Sequence, residues 1–458
     1  MDTSIFREYD IRGIYPKTLD ENTAFSIGVE LGKIMQQYSK GVFVGYDARV
    51  HGKKLFEALS AGLQQEGLKV YDLGLIPTPV AYFATFNEID NIQCPNSIMI
   101  TGSHNPKEYN GFKITLNNNP FYGKDIQALK DTLLNTTHEV KPLKEMPQKV
   151  NALEAYHNYL IKDFKHLKDF KHKIALDFGN GVGALGLEPI LKALNIDFNS
   201  LYSEPDGNFP NHHPDPSVAK NLQDLQTHMQ ENALSIGFAF DGDADRIAML
   251  GANHIYAGDE LAILFAKHLY NQGITPFVIG EVKCSQVMYN TINSFGKTLM
   301  YKTGHSNLKV KLKETNAHFA AEMSGHIFFK ERYFGYDDAL YACLRALELM
   351  LKEDPSVLEN TIKNLPYSYT TPEEKIAVSE EEKFKIIQNL QNKLQNVPDN
   401  FPKIKEIISI DGVRVVFEHG FGLIRASNTT PCLVTRFEGK DEKTALVYKK
   451  ALLGLLEK

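Results

Sequence analysis

The sequence predicts three similar α/β domains with mixed, largely parallel sheets, followed by a C-terminal α+β domain. Three observations carry that expectation. The chain has 458 residues, too many for one hydrophobic core, and domains of about 100 to 200 residues divide it into three or four. Short apolar runs that end in polar loops recur in three successive sections. Between them lie stretches whose apolar residues return every three or four positions, so strand and helix alternate, the pattern of a sheet with parallel strands.

Taken in order, the first strand of each section is "GVFVGYDAR" from Gly41, "KIALDFGNG" from Lys173 and "PFVIGEVKC" from Pro276. The second is "LKVYDLGLIPTP" from Leu68, "IDFNSLYSEPDG" from Ile196 and "KTLMYKTGHSN" from Lys297. The third is "SIMITGSHNP" from Ser97, "SIGFAFDGDADR" from Ser235 and "AHFAAEMSGHIFF" from Ala317. Each is a run short enough for a buried strand. "GDELAILFAKHLYNQG" and "DDALYACLRALELMLKED" have helical spacing. From about Tyr367 the pattern changes. "SEEEKFKIIQNLQNKLQ" predicts an amphipathic helix opening at Ser379, and "IISIDGVRVVFEHGFGLIRAS" an alternating strand pair. The expected domains are residues 1–148, 149–251, 252–366 and 367–458. Their ligand loops should lie beyond the carboxyl ends of the third strands.

Composition narrows the function. Hydrophobic residues make up 43% and charged residues 23%, ordinary globular usage. A net charge of -6 argues against a nucleic-acid partner and leaves small anionic ligands open. No run approaches the roughly 20 apolar residues of a membrane span. Cys94, Cys284, Cys343 and Cys432 are widely separated and the amino terminus has no apolar signal core, so a cytoplasmic protein is expected.

The loop after the second domain's third strand is Asp241-Gly242-Asp243-Ala244-Asp245-Arg246. In an extended segment residues i, i+2 and i+4 share a face, so three carboxylates should converge and need a cation among them. Oxygen ligands alone suit a hard divalent ion, Mg²⁺ first, then Mn²⁺ or Ca²⁺. Gly251-Ala252 stands where a calcium hand requires its closing glutamate. The equivalent loop one domain earlier, "TGSHNPKEYNGFK", sets Ser103 beside His104, with Lys113 downstream. A lone serine in a turn is ordinarily a backbone cap. Beside a metal loop, a phosphoserine of charge about -1.5 to -2 would complete the oxygen shell, given cations such as Lys113 and Arg246.

The third loop, Glu322-Met323-Ser324-Gly325-His326, carries a carboxylate, a hydroxyl and an imidazole, a set that grips sugar hydroxyls. "KTGHSN" places Gly304 and His305 at another strand end, where a histidine could shuttle a proton or hold phosphate. In the tail, Arg425, Ala426, Ser427, Asn428 and Thr429 form a donor-rich turn after a strand, suited to phosphate. Three further matches are weak. Gly181 to Gly186 fits G-x-G-x-x-G, but Leu201 stands about 20 positions beyond Gly181, where the dinucleotide fingerprint wants an acid. "TINSFGKT" has Thr291 in place of the first P-loop glycine. "NHHPDP" holds adjacent histidines that should point apart, which favours a structural role.

With these loops the chain resembles the α-D-phosphohexomutase family, most closely its bacterial phosphomannomutase/phosphoglucomutase branch. The motifs "FREYDIRG", "TGSHNP", "DGDADR", "EMSGH" with "FFKERYFGYDDA", and "RASNTTP" occur in that order across nearly the whole chain. The resemblance implies four domains around a central cleft, with one loop from each. It implies one Mg²⁺ per chain, and hexose 1,6-bisphosphate as intermediate and activator. Ser103 matches the phosphoserine, and Asp241, Asp243 and Asp245 match the metal ligands, with a phosphoserine oxygen beside them. His104, Lys113, Arg246 and His305 match managers of charge and proton. Glu322 and Ser324 match sugar-hydroxyl contacts, with Met323, Gly325 and His326 in the same loop, and Arg425 to Thr429 match the clamp on the phosphate that does not react. Tyr9, Arg12, Lys283 and Gly304 fall in further cleft segments. The implied reaction moves a phosphoryl group between the 1 and 6 positions of mannose or glucose. "EMSGH" and "SNT" favour hexose over glucosamine phosphates, leaving a phosphoglucosamine mutase, and behind it a metal-dependent sugar phosphatase, as alternatives. Small sugar phosphates are the implied partners of a monomer or weak homo-oligomer. Two residues depart from the branch's glycines, Ala244 and Ala321; both are small, so the loops should keep their shape.

Overall fold

A computed structural model describes residues 1–351, 353–428 and 430–456. In each of the first three sheets the strand that opens the section is central, flanked in parallel by the other two. Gly41–Tyr46 lies between Lys69–Leu75 and Ser97–Ile100. Ile174–Asp177 lies between Phe198–Leu201 and Ile236–Phe240. Phe277–Glu281 lies between Lys297–Tyr301 and Phe319–Ala321. The threefold repetition read from the sequence is therefore a repetition of topology.

Each sheet gains an antiparallel strand next to its third: Tyr109–Leu116, Ile247–Gly251 and Ile327–Phe329. The reason is connection length. A parallel return needs a crossover of about a dozen residues or more, and the connections 101–108, 241–246 and 322–326 are shorter, so the chain doubles back. Each tight return contains a left-handed residue, at φ 49° for Ser103, 60° for Ala244 and 95° for Gly325. The loops expected to carry chemistry are thus hairpin turns at the carboxyl edge of the parallel core.

The fourth sheet is antiparallel throughout its path: Tyr369–Thr370, Cys432–Gly439, Gly420–Ala426, Val413–Phe417 and Glu406–Ile408. Its helix Glu382–Lys393 starts three residues after the expected Ser379, whose hydroxyl accepts from the Glu382 amide at 3.2 Å. No helix among the described residues is long and apolar enough to cross a membrane.

One apolar core runs through the first three domains, from Phe43 and Phe83 through Phe178 and Phe238 to Phe319 and Tyr341. The fourth domain has its own, around Leu390, Val415, Phe437 and Leu452. The shared core closes over a buried carboxyl. Asp338 caps the helix Ala339–Leu349, accepting from Tyr341 N at 2.8 Å, from Tyr333 Oη at 2.8 Å and from Tyr156 Oη at 3.0 Å. Burial pushes the Asp338 carboxyl up to about 6, against the opposing pull of those hydrogen bonds. A carboxyl whose folded value is raised stays protonated where the unfolded chain has ionised, so stability falls as pH rises from about 4 to about 6. Across that window the wild type should lose on the order of 3 kcal/mol relative to Asp338→Asn, measured by urea unfolding of both at several pH values. A stability difference that does not change with pH would contradict a neutral carboxyl in this core.

Candidate active site

The Ser103 turn is built by buried charges that reach it from neighbouring strand ends. The Ser103 amide donates to Thr101 Oγ1 at 2.8 Å, and that hydroxyl donates to Asp47 Oδ2 at 2.7 Å. Arg49, 2% exposed, spends its guanidinium on carbonyls of the turn: Ser103 at 2.9 Å, Asn105 at 2.6 Å, Pro106 at 2.6 Å and Tyr109 at 2.9 Å. Arg12 donates to the Gly102 carbonyl and to Asn105 Oδ1 at 2.8 Å, and is itself paired with Asp10. These bonds fix a serine whose backbone is left-handed, a conformation that costs on the order of 1 kcal/mol or more outside glycine. The hydroxyl is aimed outward, donating to Asp241 Oδ2 at 2.8 Å, with His104 Nδ1 3.0 Å away.

The aspartate loop converges as expected, by a different geometry. It is a turn in which the Ala244 amide donates to the Asp241 carbonyl at 3.0 Å; alternation along an extended strand does not apply. Ala244 occupies the left-handed position, which explains in physical terms why glycine suits it. Asp241, Asp243 and Asp245 are all 0% exposed, and one ligand oxygen from each can lie within 4.8 Å of the others. Asp241 is satisfied by the amides of Asp245 and Arg246 at 3.0 and 3.2 Å and by Ser103. Thr78 Oγ1 donates to Asp243 Oδ2 at 2.5 Å. Lys113 Nζ donates to Asp243 Oδ2 at 2.6 Å and to Asp245 Oδ2. That leaves Asp243 Oδ1 and Asp245 Oδ1 buried with no hydrogen-bond partner. Two orphaned carboxylate oxygens in a cluster without a sulfur or nitrogen donor fit a hard divalent cation.

The electrostatics follow from this crowding. Burial, then the charges of Asp245 and Asp243, pushes Asp241 well above the ordinary carboxylate range. Burial also acts to raise Asp245, but the Lys113 ammonium outweighs it and holds that group low. Lys113 is kept ionised because Asp243 and Asp245 overcome its burial. His104 is driven well below an ordinary histidine by burial and then by Arg246 and Arg12. Burial, with Lys309 and Lys113, does the same to His305.

The third loop locks onto the second. Arg246 Nε donates to His326 Nε2 at 2.9 Å. An arginine only donates, so the His326 proton sits on Nδ1, which faces the Asp245 carbonyl at 3.1 Å and Asp337 Oδ2 at 3.1 Å. That tautomer excludes His326 as a ligand in the second acidic cluster, Asp245, His326 and Asp337. Glu322 Oε1 accepts from the Gly304 amide at 2.7 Å, and Ser324 Oγ donates to Glu322 Oε2 at 3.1 Å. The Met323 amide lies 3.4 Å from Glu281 Oε1, and the Gly325 amide donates to the Glu322 carbonyl at 3.0 Å. Gly304 has φ 118°, and a β-carbon there would overlap the Tyr9 ring, so only glycine fits. Tyr9 Oη in turn donates to the Thr303 carbonyl at 2.8 Å and accepts from Asn428 Nδ2, joining the first, third and fourth domains.

In the fourth domain Arg425 Nε donates to Asp411 Oδ2 at 3.0 Å, and the same oxygen accepts from the Thr303 amide at 3.0 Å. Ala426 is buried in the strand. Ser427 Oγ lies 2.9 Å from Thr430 Oγ1, and its carbonyl accepts from Lys383 Nζ at 2.7 Å. Thr429 lies outside the described residues. Lys283 stands across from Glu373, 3.5 Å away.

Sequence reasoning passed over several residues that hold this site. Arg49 and Asp47 end the quoted run "GVFVGYDAR", where a charge pair at a strand end was the available signal. Thr78 gave no signal. Asp337 lies inside "FGYDDA" and binds Lys309 Nζ at 2.9 Å as well as His326. Burial opposes ionisation of Asp337, but Lys309 and His326 hold it below the ordinary range. The G-x-G-x-x-G match is spent on packing, since a β-carbon at Gly181 would press on the Gly242 carbonyl and one at Gly183 on Phe178. In "NHHPDP", His212 Nε2 lies 3.0 Å from Asp177.

Three α/β domains with a mixed sheet each, an antiparallel fourth, and one loop from each brought together by these contacts define an α-D-phosphohexomutase. Comparison with known proteins agrees. Models of phosphoglucomutase/phosphomannomutase match domain I at residues 3–139, domain II at 154–254, domain III at 257–369 and the C-terminal domain at 373–454. The chain is 41% identical over 443 residues to the phosphomannomutase/phosphoglucomutase of Pseudomonas putida, covering 96% of this chain and 92% of that protein. It is 41% identical over 440 residues to the phosphoglucomutase of Neisseria gonorrhoeae, covering 95% and 92%. The crystal structure of a phosphoglucomutase/phosphomannomutase family protein from Burkholderia thailandensis superposes with a TM-score of 0.90 at 37% identity, over 100% of this chain and 98% of that one. The chain belongs to the phosphoglucomutase/phosphomannomutase family, on its bacterial branch, and is an enzyme of that family.

Because Arg49 holds four carbonyls in a planar fork that lysine cannot reproduce, Arg49→Lys should cut turnover roughly ten- to hundredfold while the fold survives. Steady-state rates and melting temperature on one preparation decide it. Undiminished turnover would show that the Ser103 turn keeps its shape without the fork.

Proposed function

We propose that the protein interconverts hexose 1-phosphates and hexose 6-phosphates, of mannose and glucose, by phosphoryl transfer through Ser103. The observation that carries this reading is the 2.8 Å bond from Ser103 Oγ to Asp241 Oδ2, which sets the hydroxyl of one domain on the carboxylate cluster of the next. A serine needing only a backbone cap has no reason to meet three buried aspartates.

In the working enzyme Ser103 carries the phosphoryl group. A hexose monophosphate enters with its phosphate in the cradle of Arg425, Ser427 and Asn428, where a charged fork and neutral donors suit an anion. Glu322 and Ser324 receive the ring hydroxyls. The free sugar hydroxyl then attacks the Ser103 phosphate: a new oxygen–phosphorus bond forms as the Oγ–phosphorus bond breaks. The proton released by the sugar hydroxyl ends on the departing Ser103 Oγ; His104, whose Nδ1 lies 3.0 Å from that oxygen, is placed to deliver it, and His305 is the second imidazole available to carry it. Ser103 finishes with a hydroxyl and the sugar with two phosphates. After the hexose 1,6-bisphosphate turns over in the cleft, the same steps run backwards with the other phosphate. Lys113 and Arg246 offset the gathering negative charge. Asp241, Asp243 and Asp245 would hold a divalent ion, Mg²⁺ by donor type, which supplies further charge neutralisation to the phosphoryl oxygens. Positioning and electrostatics account for the rate, with little covalent work for the protein.

Peptide mass spectrometry of the isolated enzyme should place its phosphate on Ser103. Ser103→Ala should lose at least about a thousandfold in mannose 1-phosphate and glucose 1-phosphate turnover, with no recovery on adding glucose 1,6-bisphosphate. No inorganic phosphate should accumulate in step with the wild-type product. Full activity of Ser103→Ala would overturn the mechanism, and stoichiometric phosphate release would make the enzyme a phosphatase.

A further inference from the structure

The central strands of the first three sheets end alike. Asp47 follows Gly41–Tyr46, Asp177 ends Ile174–Asp177 and Glu281 ends Phe277–Glu281. Each is at most 1% exposed, and each accepts from the amide two residues ahead: Arg49 N at 3.0 Å, Gly179 N at 2.9 Å and Lys283 N at 2.7 Å. The three acids therefore occupy one position of the repeat, in sequences that share little else, "GYDAR", "LDFGN" and "GEVKC".

In the outer two copies the acid also reaches the neighbouring loop. Asp47 Oδ2 accepts from Thr101 Oγ1 at 2.7 Å and Gly102 N at 3.3 Å, directly before Ser103. Glu281 Oε2 accepts from Thr303 Oγ1 at 2.8 Å, directly before Gly304, and its Oε1 faces Met323 N at 3.4 Å, directly after Glu322. In the middle copy Asp177 holds His212 at 3.0 Å, and its own loop reaches the aspartate turn through Val182 N to the Gly242 carbonyl at 3.1 Å. A buried carboxylate is costly unless every oxygen is matched by donors. A turn that only needed closing would be served by one amide bond. For Asp47 and Glu281 the donors from outside their own turn come from segments that carry candidate site residues; for Asp177 the outside donor is His212.

We propose that this strand-end acid is a positioning residue in each repeat: Asp47 sets the Ser103 loop, Asp177 steadies the loop beneath the aspartate turn, and Glu281 sets the sugar loop through Gly304 and Met323. The assignment rests on the function proposed above. It gives the three copies separable jobs. Glu281 acts on sugar recognition, so its loss appears in KM and in the choice between sugars. Asp47 acts on the phosphoryl donor, so its loss appears in kcat for all sugars alike.

The test is steady-state kinetics with mannose 1-phosphate and glucose 1-phosphate on the full-length wild type, Glu281→Gln and Asp47→Asn. A wild type that turns over neither sugar would sink the functional reading, independently of this one. Given an active wild type, Glu281→Gln should raise KM roughly fivefold or more and shift the mannose-to-glucose ratio of kcat/KM roughly threefold or more. Asp47→Asn should lower kcat roughly tenfold or more with KM and the ratio unchanged. KM and the sugar ratio do not depend on how much enzyme is folded, so a merely structural glutamate leaves both at wild-type values, and that result overturns the proposal. Should Glu281→Gln not accumulate, Thr303→Val removes one donor to Glu281 at nearly constant volume. It should move KM and the ratio in the same direction by roughly twofold, and wild-type values there overturn the proposal equally.

Discussion

Three carboxylates buried side by side repel one another, and the surrounding loops are arranged around holding them. Two unit charges 4 Å apart interact by about 4 kcal/mol at an effective dielectric near 20, while a hydrogen bond to a charged group returns about 1.5 to 3 kcal/mol. Hydrogen bonds alone do not settle Asp241, Asp243 and Asp245; cations must. Lys113 supplies one from the antiparallel strand of the first domain. Thr78, Ser103 and the Asp245–His326–Arg246 contacts bring in neutral donors and a second cation. The orphaned oxygens of Asp243 and Asp245 mark where that provision stops short. Every candidate role assigned to Ser103 follows from its being aimed at this cluster.

The repeat explains how one cluster can be served by several domains. Three sheets with the same strand order present their short hairpin turns at the same edge, and the apolar core they share fixes those turns relative to one another. The fourth domain joins differently. Its main core is separate; it joins the third domain through a small apolar patch of Val282, Phe421 and Leu423 and through polar contacts, Tyr9 with Asn428 and Thr303 with Asp411 and Arg425. Arg414, 0% exposed, ties it to the third domain at the Cys284 carbonyl, 2.8 Å away, with its guanidinium 3.5 Å over the Phe421 ring.

The sequence made the central strands and their loops legible because buried parallel strands are nearly continuous apolar runs, and polar loops after them stand out. Ser103, Lys113 and the three aspartates were visible as a charge pattern, and the family motifs added Tyr9, Arg12 and Lys283. The added antiparallel strands were less visible, since "IAMLG" and "IFF" are too short to show a period. The aspartate turn was expected as an extended segment, and its left-handed Ala244 could not be read from a residue type that seldom takes that conformation. Thr78, Asp337 and Glu281 were passed over for a shared reason. Each acts on a partner outside its own run, and residue type alone does not show which partner that is; the Asp47–Arg49 pair at a strand end was the one local signal.

Binding of Mn²⁺, followed by the free-ion paramagnetic resonance signal, tests the central claim most directly. The wild-type enzyme should bind about one ion per chain at the aspartate turn, more tightly when Ser103 is phosphorylated, because the phosphate adds acceptor oxygens to the cluster. Asp243→Asn, which removes one of the two unsatisfied carboxylates, should weaken that site roughly tenfold or more. Equal Mn²⁺ affinity in the wild type and Asp243→Asn, indifferent to the state of Ser103, would show that the carboxylate cluster is not the cation site on which this account depends.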